Sequence, residues 1–378
     1  MNNRVLTIIP SLYDGGAEKF TADLSFEISK EYQNTTLIYN ATDITYPVAG
    51  GVKTLEVPEK RGILRRLLRQ IRIKNEIKGY KTQWRPEVSI SHMLMANMLN
   101  IITKKEEKVI CVLHGEWSIR TGKSKVLDFI VKHYYRKADV IISVSEFIKN
   151  SFDQYYQLAV PHKVIHVGID IAEIERKAQE HLALALPKNY LVYVAGFRPV
   201  KNHIALLNHL EAYLKKKDIS LVLLGDGTLR NAIENEISKL GLEGKVLILG
   251  NLSNPYPVIK NAKVSVLYSS SESFSLAVVE SMALGVPVVA TDCGGPREIL
   301  LGEVIHEVEL PFRSDYGVLI EKPGVKDKGY LSAEIDYLLD NKQAWSALSE
   351  NGKKRSRNFS IQKAAAAYKE LISTLISS

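Results

Sequence analysis

Residues 269–299, SSSESFSLAVVESMALGVPVVATDCGGPREI, begin just after the apolar run Val264 to Tyr268 and contain a second run, Pro287 to Ala290. A helical pattern separates the two. Short β-branched runs on either side of a helical stretch are the sequence form of a parallel βαβ unit. The same alternation extends outward in both directions. Towards the N-terminus the spacing predicts strands at Leu191 to Ala195, Ser220 to Leu224 and Val246 to Leu249, and towards the C-terminus at Gly317 to Ile320. A separate series occupies the first half, at Arg4 to Ile9, Thr35 to Tyr39, Lys53 to Val57, Glu87 to Ile90, Lys108 to Val112, Val140 to Val144 and Lys163 to His166.

With 378 residues, 46% apolar and 24% charged, the chain suits two folded domains rather than one. The change of texture between Gly168 and Lys188 marks the boundary. The expected division is residues 1–168, joined by the apolar C-terminal helix 361–378, and residues 169–360. The expected fold class is α/β, with two doubly wound Rossmann-like domains facing across a cleft, where the carboxyl ends of parallel strands hold ligands. The run Val5 to Pro10 is too short for a signal-peptide core and reads as the first strand. The longest apolar stretch, Met93 to Ile102, is interrupted by Asn97 and Asn100 and falls short of the roughly 20 residues that cross a bilayer. The only cysteines, Cys111 and Cys293, lie in different halves beside strand runs, which argues against a disulfide framework and for the cytoplasm.

Within the opening segment Glu272 and Glu280 stand eight positions apart across a loop-to-helix junction. The serines from Ser269 to Ser275 can cap that helix and leave its first N–H groups for phosphate or sugar hydroxyls. A carboxylate accepts from two hydroxyls at once, which suits the vicinal pair of a ribose at Glu280 and a sugar at Glu272. In YVAGFRPVKNH, Arg198 and Lys201 occupy the loop after a strand, where cations neutralise an anionic ligand. In IIPSLYDGGAEKF, Gly15 and Gly16 stand between a strand and a helix and allow close backbone approach to a phosphate. His114 follows a strand in VICVLHGEW, and Gly225 in LVLLGDG and Gly250 and Asn251 in LILGN end others.

Together these segments resemble glycosyltransferase family 4, the retaining enzymes of GT-B fold, and in particular bacterial members that build lipid-linked or surface polysaccharides. The resemblance covers nearly all of the chain and is weakest from Thr42 to Arg85. It implies that Glu272 contacts the transferred sugar and Glu280 the ribose, with the loop Ser273, Phe274, Ser275 and Leu276 beside them. Arg198 and Lys201 are then the cations on the donor diphosphate, with Gly15 and Gly16 closing over it. His114 becomes a contact to the sugar or acceptor, and Gly225, Gly250 and Asn251 line the nucleotide pocket. The sequence departs from the family in having serine at 273 and 275 where glycine is usual, and Gly196 where arginine is usual, so that Arg198 stands in for it. The implied donor is a UDP-sugar. The implied acceptor is a lipid-linked glycan, and no cofactor or metal is expected.

The formal net charge is +8, and much of it falls in EKRGILRRLLRQIRIKNEIKGYK. Leu64, Leu67, Leu68 and Ile71 form one stripe of a helix there, and Arg61, Arg65, Arg69 and Arg72 another, with Arg66 beside them. Either the apolar stripe packs on the domain's own sheet, or the helix lies on an anionic membrane surface, at the inner face of the plasma membrane. No His or acidic residues show ligand spacing on one element, and no DxD stands at a strand end, so no metal site is expected. Two other classes compete. A nucleotide-sugar epimerase or phosphorylase shares the fold and is distinguished by products formed from the donor without a sugar acceptor. A non-enzymatic anionic-surface binding protein explains the charge but not the paired glutamates. Nucleic acid is not an expected partner.

Overall fold

The computed structural model describes residues 3–13, 15–40, 44–55, 57, 63–115, 125–182, 184–302, 307–324 and 329–378, without the side chains of 63–65 and 125–127. The chain divides into two compact units, Met1–Ile169 with Ile361–Ser378, and Asp170–Ser360.

The first unit is built on seven strands: β1 (Arg4–Ile9), β2 (Gln33–Ile38), β3 (Gly51–Thr54), β4 (Val88–His92), β5 (Lys108–Leu113), β6 (Val140–Ser143) and β7 (His162–Val164). They pair in the order β3-β2-β1-β4-β5-β6-β7, all parallel. Parallel strands covered by helices on both faces read as unbroken apolar runs, and Val109 to Leu113 is accordingly buried throughout. The C-terminal helix Ile361–Ser377 belongs to this unit, where Tyr368 packs its ring 6.2 Å from that of Phe20 on the helix Gly16–Ile28.

The second unit repeats the plan with β8 (Tyr190–Val194), β9 (Ser220–Leu224), β10 (Val246–Gly250), β11 (Val264–Leu267), β12 (Val288–Thr291), β13 (Phe312–Arg313) and β14 (Val318–Ile320). Its order is β10-β9-β8-β11-β12-β14-β13, parallel except for the antiparallel edge strand β13. The sequence gives no sign of β13, which is two residues long. Its arginine is held at the edge by the Glu334 carboxylate, with Nε at 2.7 Å, and its guanidinium lies over the Tyr337 ring.

The arginine-rich segment forms the helix Ile63–Trp84, but its buried face is not the leucine stripe. Ile73, Ile77 and Lys81 turn inward, while Leu67, Leu68 and Ile71 are exposed at 57%, 57% and 44%. The reason is a polar anchor. Lys81 Nζ is wholly buried 2.7 Å from Glu107 Oε1 and also donates to the Asn100 backbone carbonyl and side chain. Burial pushes the Lys81 amine down to about 8 against the pull of Glu107. Arg69 is half-buried and bound to the Val57 carbonyl and Asn40 Oδ1, so it is a packing residue rather than a surface charge. Arg66 and Arg72 are exposed, Arg61 lies outside the described residues, and so does the side chain of Arg65. Among the described residues no helix is long and apolar enough to cross a membrane.

Candidate functional site

In each sheet the first strand lies between the second and the fourth, so the strand order reverses there and opens a crevice at the carboxyl ends of β1 and β4, and of β8 and β11. In the second unit that switch point is flanked by the two loops singled out from the sequence. Lys201 leaves β8 through the short turn Pro199–Lys201, and Glu272 follows β11.

The two meet: Lys201 Nζ is 2.5 Å from Glu272 Oε1, with the side chains 21% and 11% exposed. Ser269 Oγ donates to the same oxygen at 2.8 Å. Beneath them the Tyr193 hydroxyl donates to the Lys201 carbonyl at 2.7 Å and lies 3.2 Å from Ser269 Oγ, so one buried tyrosine ties both loops. Ser270 N–H donates to the Val200 carbonyl, and Thr291 Oγ1 to the Ser269 carbonyl. Glu272 is also fixed through its backbone, donating to the Cys293 carbonyl and accepting from Gly295 N–H. Among the described residues Glu272 Oε2 and the remaining Lys201 ammonium hydrogens have no protein partner. A carboxylate with one oxygen held and one free, beside a cation with free hydrogens, can bind a hydroxyl and an anion side by side.

Arg198 is exposed, and among the described residues its guanidinium makes no hydrogen bond or ion pair. A Cβ placed on Gly196 would lie 3.7 Å from Arg198 Nε. The guanidinium therefore reaches back over the position from which a side chain at 196 would project.

Ser275 does not cap the following helix with its side chain. Ser275 stands at its N-cap with φ 92°, ψ 85° and makes no side-chain capping bond, because a left-handed backbone turns the hydroxyl away from the N–H groups it would have to meet. The helix Leu276–Ala283 begins directly after it, with Leu276 half-buried and Ser273 half-buried in the preceding loop. Phe274 is buried, its ring 5.2 Å from that of Phe359, so its side chain anchors the loop and only its backbone can serve a ligand. Gly295 is required there, since a Cβ would run into the Phe274 backbone.

Glu280 is buried on that helix and accepts from the Tyr256 hydroxyl at 3.4 Å. Gly225 follows β9 and Gly250 ends β10, with Gly225 N–H donating to the Gly250 carbonyl at 2.9 Å. Gly225 has φ 138° and a Cβ there would collide with the Ala195 carbonyl. Asn251 follows on the exposed side. Asp226 and Arg230, paired at 2.7 Å next to Gly250, are charged neighbours that the sequence reading passed over, although the LGDG turn placed Asp226 at a strand end.

In the first unit Gly15 is the N-cap of the helix Gly16–Ile28 with an extended backbone. A Cβ on Gly15 would meet the Glu18 carboxylate, so the helix end offered to phosphate is faced by its own acidic side chain. His114 is half-buried directly after β5, and its Nε2 lies 2.9 Å from Nδ1 of His92, the last residue of β4, which the sequence reading missed. The missed signal was a pair of adjacent strands, one ending at a histidine and the other followed at once by one. Burial pushes His114 down to about 4 and His92 well below its ordinary value.

Residues 14–173 match the model "Glycosyltransferase Family 4", and residues 175–355 match "Glycosyl transferases group 1". A Campylobacter jejuni N-acetylgalactosamine-N,N'-diacetylbacillosaminyl-diphospho-undecaprenol 4-alpha-N-acetylgalactosaminyltransferase is 29% identical over 64% of this chain and 62% of its own length, so the match leaves over a third of that relative unaligned. A second C. jejuni enzyme, the GalNAc-alpha-(1->4)-GalNAc-alpha-(1->3)-diNAcBac-PP-undecaprenol alpha-1,4-N-acetyl-D-galactosaminyltransferase, is 22% identical over 95% of both chains. Among solved structures, Anabaena HepE in complex with UDP and glucose superposes with a TM-score of 0.77 at 19% identity, covering 98% of this chain and 99% of that one. The two domain matches, the paired parallel sheets and the full-length superposition agree: the chain belongs to the glycosyltransferases of family 4 and group 1 type, with the GT-B fold.

Proposed function

We propose that this glycosyltransferase moves a hexose or N-acetylhexosamine from a UDP-sugar to a hydroxyl of a lipid-linked glycan, with retention at the anomeric carbon. The observation that carries the reading is the Lys201–Glu272 pair at the β8/β11 switch point, with Glu272 Oε2 open. In this reading Glu272 Oε2 accepts a hydroxyl of the transferred sugar. Lys201 turns its ammonium hydrogens, and Arg198 its guanidinium, to the diphosphate, where charge grows as the sugar leaves. Glu280 accepts from the ribose. In the first unit His114 is the group offered to a sugar hydroxyl. In this reading the acceptor attacks from the leaving-group side, the departing phosphate taking its proton.

UDP is favoured by the nucleotide bound in HepE, and the lipid-linked acceptor by the names of the two C. jejuni relatives. Docking on an anionic membrane surface is favoured by the exposed Leu67, Leu68 and Ile71 beside Arg66 and Arg72.

A thermal-shift series over UDP-, GDP- and ADP-sugars tests the donor. A ligand at a hundred times its Kd adds about 2.7 kcal/mol of stability. UDP-sugars should raise the unfolding midpoint and lose that effect in Lys201→Ala. Stabilisation by GDP- or ADP-sugars alone would overturn the donor assignment, and an inverted anomer in the isolated product would overturn retention.

A further inference from the structure

At the carboxyl end of the first sheet two imidazoles share one hydrogen bond. His92 Nδ1 and His114 Nε2 are 2.9 Å apart. His92 is fully buried, and its Nε2 has no partner among the described residues. The Phe20 ring lies against both histidines, its centroid 6.4 Å from each. Met93, the next residue after His92, has φ 77°, a conformation that costs a side-chain-bearing residue about 1–3 kcal/mol and persists only where the surroundings enforce it. The exit from β4 is therefore held in one strained turn that presents the His92 ring to His114.

A nitrogen–nitrogen contact of this length requires one N–H and one lone pair, and two arrangements supply them. In the first, His92 carries its proton on Nδ1 and donates to His114 Nε2. The unpartnered His92 Nε2 is then a bare lone pair, and the His114 proton sits on Nδ1. In the second, His114 Nε2–H donates, and the His92 proton is forced onto the buried Nε2 with nothing to accept it. Orphaned buried N–H groups are rarer in folded proteins than under-satisfied acceptors, which disfavours the second arrangement. The first arrangement prevails. Burial keeps both rings neutral, so no extra proton reverses it.

We infer that His92 is a positioning residue that fixes His114 in the Nδ1–H tautomer, leaving that N–H as the one polar hydrogen the pair offers to a ligand. This rests on the reading of His114 as a sugar contact and gives it a direction. His114 donates to an oxygen lone pair and is not the base that removes a proton, because its Nε2 lone pair is already occupied. A group on the sugar that only donates would be rejected there.

Long-range proton–nitrogen NMR on the uniformly 15N-labelled full chain tests the inference without any substrate, with the His114 signals assigned by their loss in His114→Asn. Unmodified protein should show a protonated Nδ1 and a bare Nε2 at His114. His92→Asn, whose amide N–H can stand where Nδ1–H stood, should keep that pattern, and His92→Leu should replace it with the mixture seen in a free imidazole. A protonated Nε2 at His114 in the unmodified chain overturns the inference, as does an unchanged pattern in His92→Leu. The first of these does not depend on any His92 variant folding. Turnover by His114→Asn tests the separate question of whether His114 serves the reaction, so either idea can fail alone.

Discussion

Lys201 Nζ and Glu272 Oε1, 2.5 Å apart, join the loops that follow β8 and β11 into one charged unit. Neither side chain can be removed without changing what the other does, because each is largely buried and would be left beside an unbalanced partner. Lys201→Ala and Glu272→Ala should each lower kcat/KM by about a hundredfold or more, the cost of deleting one transition-state contact. The double variant should be worse than the poorer single by no more than about threefold, since coupled groups are not additive. Near-normal turnover in either single variant would remove the pair from the site, and independent effects in a double-mutant cycle would separate them.

Ser275 holds φ 92° immediately before the helix that carries Glu280, whereas Ser273 is not in the left-handed region. Glycine relieves the strain at the first position, whereas at the second it adds chain entropy to the unfolded state and removes a side chain. Ser275→Gly should therefore raise stability by up to about 1 kcal/mol, and Ser273→Gly should lower it by about 0.5–1 kcal/mol. Denaturant midpoints at constant slope would show the opposite signs. A loss of stability in Ser275→Gly would mean that this backbone carries no strain.

His92, His114 and His203 all have their pKa values pushed below 6.5 by burial, His114 and His203 to about 4. The unfolded chain takes up protons at these residues as pH falls through about 6.5, while the native state refuses them until well below that, about 4 for His114 and His203. Stability is thus fully present above pH 6.5 and lost between 6.5 and 4, with a slope of up to about 1.4 kcal/mol per pH unit for each histidine. His203 is buried between the rings of Tyr193 and Phe197, at 4.8 and 4.7 Å. His203→Phe should flatten that slope, measured by urea unfolding at pH 5, 6 and 7, and an unchanged slope would contradict the assignment.

The helix Ile63–Trp84 should direct the protein to vesicles containing anionic lipid. Reversing Arg66 and Arg72 to glutamate should abolish cosedimentation, and Leu67→Ser with Leu68→Ser should weaken it, because charge and apolar burial act together. Arg69 would be a misleading choice for this test, being tied to Asn40 and the Val57 carbonyl. Binding indifferent to all four exposed positions would leave the helix without a membrane role.

Ser143, His162 and Asp153 form a relay in the first unit, with Ser143 Oγ 2.8 Å from His162 Nε2 and His162 Nδ1 2.7 Å from Asp153 Oδ1. The arrangement resembles a hydrolase triad, but Ser143 is fully buried, and a nucleophile that no substrate reaches is a structural group. Ser143→Ala should cost about 1 kcal/mol of stability and leave transfer unchanged. Serine-directed fluorophosphonates should not label the protein.

The strands were legible because parallel strands buried on both faces leave long apolar runs, as at Val109 to Leu113. The loops and helix that carry Lys201, Glu272 and Glu280 were legible because those residues stand at fixed offsets from such runs. What the sequence concealed has physical causes too. Lys81 reads as a surface residue until Glu107 and Asn100, brought from another helix and strand connection, make burial possible. With that burial the helix Ile63–Trp84 turns Ile73, Ile77 and Lys81 inward and leaves Leu67, Leu68 and Ile71 exposed. Tyr193 is one more aromatic residue in a strand until its hydroxyl is seen bridging Lys201 and Ser269. His92 ends a strand run two positions past Ile90, its last apolar residue, and only its parallel neighbour gives it meaning.

The two sheets share one wiring order from β1 to β5 and from β8 to β12. Gly15 and Lys201 therefore hold corresponding stations, each in the loop after the first strand of its sheet, and His92 and Glu272 hold corresponding stations at or after the fourth. One copy of the plan has been loaded with a lysine and a carboxylate that offset each other, and the other with imidazoles kept free of charge by burial. The same backbone circuit thus yields one polarised terminal and one that reads hydrogen-bond direction alone.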